Sequence, residues 1–199
     1  KDEIEQIGKT LQADPQQDIF LQRNATVSRV LETDLSNRRV VMFATHGLVP
    51  GELDGLMQPA LALSAPDVTG ETKGDGLLTM DQILTLNLNA DWVVLSACNT
   101  ASGEGSGSEA VSGLGRAFFF AGARALLVSN WPVDSEASRL LMTDLFQRQQ
   151  AKQGAQKSVY LQDAMLNMMQ QTAARDPQGR IKYSYAHPLF WAPFVVVGD

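Results

Sequence analysis

Trp92-Val93-Val94-Leu95-Ser96-Ala97-Cys98-Asn99-Thr100 is the stretch on which the reading of this chain turns. An apolar run without polar alternation reads as a strand covered on both faces, the habit of parallel sheets. It ends on the only cysteine of the chain. A similar run lies upstream, Val40-Val41-Met42-Phe43-Ala44, and it ends in Thr45-His46-Gly47. The histidine and the cysteine are 52 residues apart, which leaves room for one strand–loop–helix–strand excursion. Two parallel strands would bring a thiol and an imidazole to the same sheet edge, where open α/β folds place their ligands. A thiol beside an imidazole is a nucleophile beside its base.

Further outward, Ala125-Leu126-Leu127-Val128-Ser129 reads as a third buried strand and Phe194-Val195-Val196-Val197 as a fourth. Ala60-Leu61-Ala62-Leu63 reads as a short strand, and Ile19-Phe20-Leu21 as either a strand or a docking segment. Helical spacing of apolar residues runs between these segments. Residues 1–14 form a helix stopped by Asp14-Pro15. Asn24 or Thr26 caps a helix carrying Val27, Val30, Leu31 and Leu35. Thr79 caps one with Ile83 and Leu84, and residues 109–121 form another, ended by Gly122. Asp134-Ser135 opens a helix to about Gln149, and a further helix spans about 157–173 with Met168 and Met169 as core. Strands alternating with amphipathic helices predict an α/β fold with a mainly parallel central sheet flanked by helices.

Composition narrows the function. The chain has 199 residues, 44% of them hydrophobic, enough for an ordinary globular core. Its net charge is −6 without a basic patch, which argues against direct nucleic-acid binding. A single cysteine excludes an internal disulfide, and two distant histidines make a metal site unexpected. No apolar run approaches the ~20 residues of a membrane-spanning helix, so no membrane is expected. The start, Lys1-Asp2-Glu3-Ile4, has neither an initiator methionine nor the pattern of a signal peptide. A piece of a longer, cytoplasmic protein is the expectation, with residues 1–23 as a junction segment and 24–199 as the functional domain.

The remaining motifs divide between structural and chemical roles. Gly103-Glu104-Gly105-Ser106-Gly107-Ser108 has the composition of a mobile loop and lacks the Lys-Ser/Thr ending of a phosphate loop. Ser129-Asn130-Trp131-Pro132-Val133-Asp134 begins at a strand end, so it belongs to the same edge as His46 and Cys98. Trp131 covers the core or walls a peptide groove; Asp134 caps the next helix or meets a basic substrate side chain. His187 reads as structural. The backbone amides of Gly47 and Cys98 are candidates for an oxyanion site, where glycine lets substrate approach closely.

Phe43-Ala44-Thr45-His46-Gly47, Gly76-Leu77-Leu78-Thr79, Val94-Leu95-Ser96-Ala97-Cys98-Asn99-Thr100, Gly122-Ala123-Arg124, Ser129 to Asp134 and Ala186-His187-Pro188-Leu189-Phe190-Trp191-Ala192 follow one another in an order and spacing that resembles CHAT domains. These are caspase-like families related to separases, and the resemblance covers roughly residues 24–199. It implies a three-layer caspase–haemoglobinase-like sandwich and a cysteine endopeptidase of bacterial type, with His46 as base and Cys98 as nucleophile. The spacing of the pair is similar to that of caspases. It implies no cofactor, a protein or peptide substrate, and a regulatory module such as tetratricopeptide repeats in the parent protein. By position, Ser96 lines the pocket for the P1 residue and Asp134 is the acid best placed to join it, which would favour Arg or Lys at P1. Relatives often carry Leu where this chain has Asn130, a change in a groove wall. The resemblance also implies a first core strand upstream of the matched segment, which residues 1–23 do not clearly supply. The alternatives are a catalytically silent scaffold for protein–protein interaction and a hydrolase or acyltransferase of small thioesters.

Overall fold

The computed structural model describes residues 1–199 except 71–73, 97–105, 153, 172 and 199, with the side chains of 106–112 and 171 also left undescribed. In chain order the elements are α1 (Asp2–Leu11), a 3-10 turn (Gln22–Asn24), α2 (Val27–Glu32), β1 (Val40–Phe43), β2 (His46–Leu48), β3 (Ala60–Ala62), α3 (Pro66–Thr69), β4 (Leu77–Thr79), α4 (Met80–Leu84), β5 (Trp92–Leu95), α5 (Ser106–Phe120), β6 (Ala125–Ser129), α6 (Ser135–Ala151), α7 (Lys157–Gln171), β7 (Ala173–Arg175), β8 (Ile181–Ser184), α8 (Pro188–Trp191) and β9 (Phe194–Gly198). They form two compact units, one of Lys1–Ile19 with Val133–Val197, the other of Phe20–Pro132 with Gly198.

The second unit is mixed α/β around parallel strands. β5 pairs in parallel with β1 on one side and with β6 on the other. The register sets two apolar rows across the sheet, Val41–Val93–Leu126 and Phe43–Leu95–Val128. Both rows belong to one core with Val27 of α2, Ile83 of α4 and Leu114, Ala117 and Phe118 of α5. Burying each of these side chains larger than alanine contributes about 1.5–3 kcal/mol. Phe118 packs on Phe43 with ring centroids 5.7 Å apart. Gly115 brings α5 close to the sheet, since a Cβ there would lie 3.2 Å from Leu126 Cδ1.

Every residue of β5 and β6 is buried, as their uniformly apolar sequences predict. β1 differs from expectation. Val41 and Phe43 are buried, but Val40 and Met42 are only half-buried, so only one face of this strand is fully covered.

Charge fixes the opposite end of the strands. Arg39, just before β1, donates from Nε to Asp91, just before β5, at 2.7 Å. Arg124, just before β6, donates to the other Asp91 oxygen at 2.6 Å and to Asn89 Oδ1 at 2.9 Å. Burial alone would raise the Asp91 pKa, but the hydrogen bonds and charges of the two arginines outweigh it and hold the carboxyl below its ordinary 3.8. Its pairing therefore stabilises the fold above that ordinary value and is lost as pH falls through the lowered one. The arginines are largely exposed, so the contribution is about 1 kcal/mol. Asp91→Asn is expected to lose about that much at pH 7 in urea unfolding, and to show a smaller stability decrease than the parent as pH falls below 4.

The first unit is built on helices. α1 lies along α6, with Ile7 and Gly8 buried. Ser138 Oγ donates to Glu3 Oε1 at 2.8 Å, and Gln150 Nε2 to the Thr10 carbonyl at 2.5 Å. A Cβ on Gly8 would sit 2.6 Å from Ile19 Cδ1, so Ile19 docks there without forming a strand. α6 packs on α7; Leu141, Leu145 and Phe146 of α6 and Tyr160, Leu161, Ala164 and Met168 of α7 are buried. Val159 is exposed, and Met169, expected in the core, is half-buried.

The 3-10 turn, α3 and α8 are absent from the sequence reading, and two strand pairings escape it as well. One is a three-stranded antiparallel sheet, β2–β3–β4, whose strands have three residues each. The other is the β7–β8 hairpin, turned by Asp176, whose Oδ1 accepts from the Gln178 and Arg180 amides. α5 also begins earlier than read, at Ser106, inside the glycine-rich stretch; residues 103–105 of that stretch lie outside the described residues.

Candidate functional site

β1 ends at Phe43, and the chain bends over Ala44 and Thr45 before starting β2 at His46. Thr45 Oγ1 donates to the carbonyl of Ala62 in β3. In the next step of the chain His46 pairs with Ala62 in the antiparallel register, followed by Gly47 with Leu61 and Leu48 with Ala60. Leu61 of β3 and Leu78 of β4 are fully buried in the core, so this small sheet is a fixed platform. His46 sits at its rim with an exposed side chain. Expectation placed His46 at the end of a parallel strand. It follows that strand's end, but it belongs to a second, antiparallel sheet.

The Thr45 bond is the local lock on this bend. Thr45→Val leaves the Ala62 carbonyl without that donor and is expected to cost about 1 kcal/mol. Thr45→Ser should retain most of the stability; equal losses for both would show that the methyl group, not the hydroxyl, matters. Urea unfolding of the two variants separates these outcomes.

The parallel register defines the rest of the edge. Phe43, Leu95 and Val128 are aligned across β1, β5 and β6. Ser96 follows Leu95 and is half-buried; Ser129 follows Val128 and is fully buried. Asn130 and Trp131 continue from β6 and are half-buried. The structure thus brings Ser96, Ser129, Asn130 and Trp131 to the edge at which β1 leads to His46. Cys98, the expected nucleophile and second oxyanion donor, lies outside the described residues, as do Ala97, Asn99 and Thr100.

Asp134 belongs to the other unit and has a structural task there. Its Oδ1 accepts from the Ala137 amide at 2.8 Å, capping α6. An N-cap of this kind satisfies a backbone donor that the helix leaves orphaned. His187 is also structural: its Nδ1 accepts from the Leu189 amide at 3.1 Å at the start of α8. Nearby, burial raises the Tyr185 hydroxyl well above the ordinary tyrosine range, with the Tyr183 hydroxyl adding to the shift. Thr45 is the residue that sequence reasoning missed. A hydroxyl one position before the histidine was the available signal, but its partner, Ala62, is 17 residues away.

Among the described residues no helix is long and apolar enough to cross a membrane. Tetratricopeptide repeat protein 28 of Mus musculus is 33% identical over 123 residues, covering 62% of this chain and 4% of that protein. Its Homo sapiens counterpart is 31% identical over 126 residues, with the same coverage of 62% and 4%. The chain therefore spans about 4% of the length of these curated relatives. A family profile described as CHAT domain matches residues 1–199, the whole chain. The motif order around His46 and Cys98 and this full-length match agree, and the chain belongs to the CHAT domain family.

Proposed function

We propose that this domain is a cysteine endopeptidase of caspase-like architecture, a three-layer sandwich in which His46 and Cys98 form the catalytic dyad. One observation carries the reading. Every residue of β1 pairs with the residue 52 positions later in β5, and His46 and Cys98 are separated by the same 52 residues. Each stands three positions beyond a register partner, His46 beyond Phe43 and Cys98 beyond Leu95. The sequence spacing of the two reactive groups thus repeats the register of the strands that lead to them.

In the proposed reaction His46 takes the Cys98 proton, and the thiolate attacks the scissile carbonyl. The amides of Gly47 and Cys98 hold the oxyanion, which transfers its charge back as the C–N bond breaks. His46 then protonates the leaving amine, and water hydrolyses the thioester. A free thiol has a pKa near 8.5, so the imidazole raises the thiolate fraction at neutral pH. Ser96, Ser129, Asn130 and Trp131 line the substrate groove. Asp134 is the acid that the resemblance offers for Arg or Lys at P1, and its Oδ1 caps α6. Residues 1–23, which carry α1, form the junction to an upstream regulatory module, and 24–199 the peptidase proper. Tetratricopeptide repeats are the module that the names of the relatives suggest.

A fluorogenic peptide library tests this on the chain joined to its upstream module. The expected result is cleavage that needs several substrate residues and prefers a basic P1. Cleavage of small thioesters with no dependence on peptide length would replace the endopeptidase reading. No cleavage, together with no labelling of Cys98 by electrophilic peptides, would favour the scaffold.

A further inference from the structure

The β7–β8 hairpin is the most exposed regular element of its unit. All four residues of β8 are exposed, Ile181 at 61% and Tyr183 at 44%. Leu189, at the start of α8, is exposed at 53%. Among the described residues β8 pairs only with β7, so an outer row of backbone N–H and C=O groups is open to a further strand.

An isolated two-stranded hairpin is marginally stable in water. This one is anchored. Tyr183 stacks on Phe190 with centroids 5.9 Å apart and 12° between planes, and meets Tyr185 edge-on at 5.4 Å. Tyr185 is buried and packs edge-on against Phe190 at 5.0 Å. The exposed edge is therefore held in a fixed pose, which reduces the ordering cost of binding.

Charge points to the occupant. The hairpin carries Arg175, Arg180 and Lys182 against one acid, Asp176, within a chain of net charge −6. Asp176 is engaged by Arg180 at 2.7 Å, and Arg175 reaches the Gly179 carbonyl at 2.8 Å. Lys182 is exposed on the strand itself. We propose that the outer edge of the β7–β8 hairpin is a docking strand for an acidic, extended segment of a partner protein. The backbone edge supplies affinity, Ile181 and Tyr183, two apart on β8, meet alternate apolar side chains, and the exposed Lys182 between them selects acidic ones. The proposal does not depend on peptidase activity.

Fluorescence anisotropy tests it with a labelled heptapeptide that alternates Glu with Ile, Val and Tyr, titrated with the Cys98→Ala protein so that no probe can be cleaved. The expected result is saturable binding, weakened about 10-fold by Lys182→Glu, and weakened similarly when Lys replaces Glu in the probe. N-methylation of alternate probe amides should abolish it, since side chains are kept while strand pairing is blocked. Lys182 is exposed, and circular dichroism would verify that the variant folds. Binding that ignores probe charge or N-methylation, or no binding up to about 1 mM, would overturn the proposal. Self-association of the protein that Ile181→Ser abolishes would assign the edge to a second copy and overturn it too.

Discussion

Cys98→Ala is expected to lower kcat/KM for peptide cleavage by about 10⁴-fold or more, and His46→Ala by a similar factor. The two side chains act as a unit in the proposed mechanism, so the double variant should be scarcely worse than either single one. Cys98→Ser should not rescue, because a hydroxyl is far less ionised than a thiol. His46 offers a clean separation of chemistry from folding. Its side chain is exposed at the rim of β2, and its removal should change stability by less than about 0.5 kcal/mol. Loss of activity with unchanged unfolding by urea is the predicted pair of results. A large loss of stability in His46→Ala would instead make its role structural.

Gly122→Ala is expected to destabilise the domain by at least about 3 kcal/mol. Gly122 follows α5 with φ +111°, a conformation that residues with a Cβ rarely adopt. It terminates the helix with two backbone bonds, Gly122 N–H to the Phe119 carbonyl at 3.1 Å and Ala123 N–H to the Phe118 carbonyl at 2.9 Å. The space is also closed. A Cβ there would lie 2.1 Å from the Leu88 carbonyl oxygen, and Leu88 N–H already bonds the Ala121 carbonyl at 2.7 Å. Leu88 lies four residues before β5 and Gly122 three before β6, so the clash falls on the segments that lead into both strands. Gly70→Ala is the control: its φ is +78°, but a Cβ there meets nothing within 4 Å. It should cost about 1–2 kcal/mol, from backbone strain alone. Equal effects in the two variants would show that the contact with Leu88 does not matter.

The parallel strands were legible because burial on both faces leaves an unmistakable apolar run. Trp92–Leu95 and Ala125–Ser129 are buried at every position, and both were read correctly. The caps at Thr26 and Asp134 were legible for a local reason: the hydroxyl and carboxylate bond amides three residues ahead. The β2–β3–β4 sheet was not. Three residues are too few to display a period of two, and His46-Gly47-Leu48 has no strand composition. Its partner strand, Ala60–Ala62, was recognised, but nothing local tells which segments it pairs with. The candidate site follows the same division. His46 and the residues after β5 and β6 could be assigned to one edge from the strand ends, whereas the Thr45–Ala62 lock depends on a long-range contact. The hairpin at β7–β8 had a local signal in Asp176-Pro177-Gln178-Gly179, a turn composition between short strands.

The central claim is that His46 activates Cys98, and the lone cysteine allows a direct measurement. The rate of alkylation by iodoacetamide, followed by intact mass, reports the thiolate of Cys98 alone at each pH. The account predicts a titration step well below the ordinary thiol value near 8.5 in the parent protein, and its return toward that value in His46→Gln. Identical profiles in the two proteins, both titrating near 8.5, would contradict it.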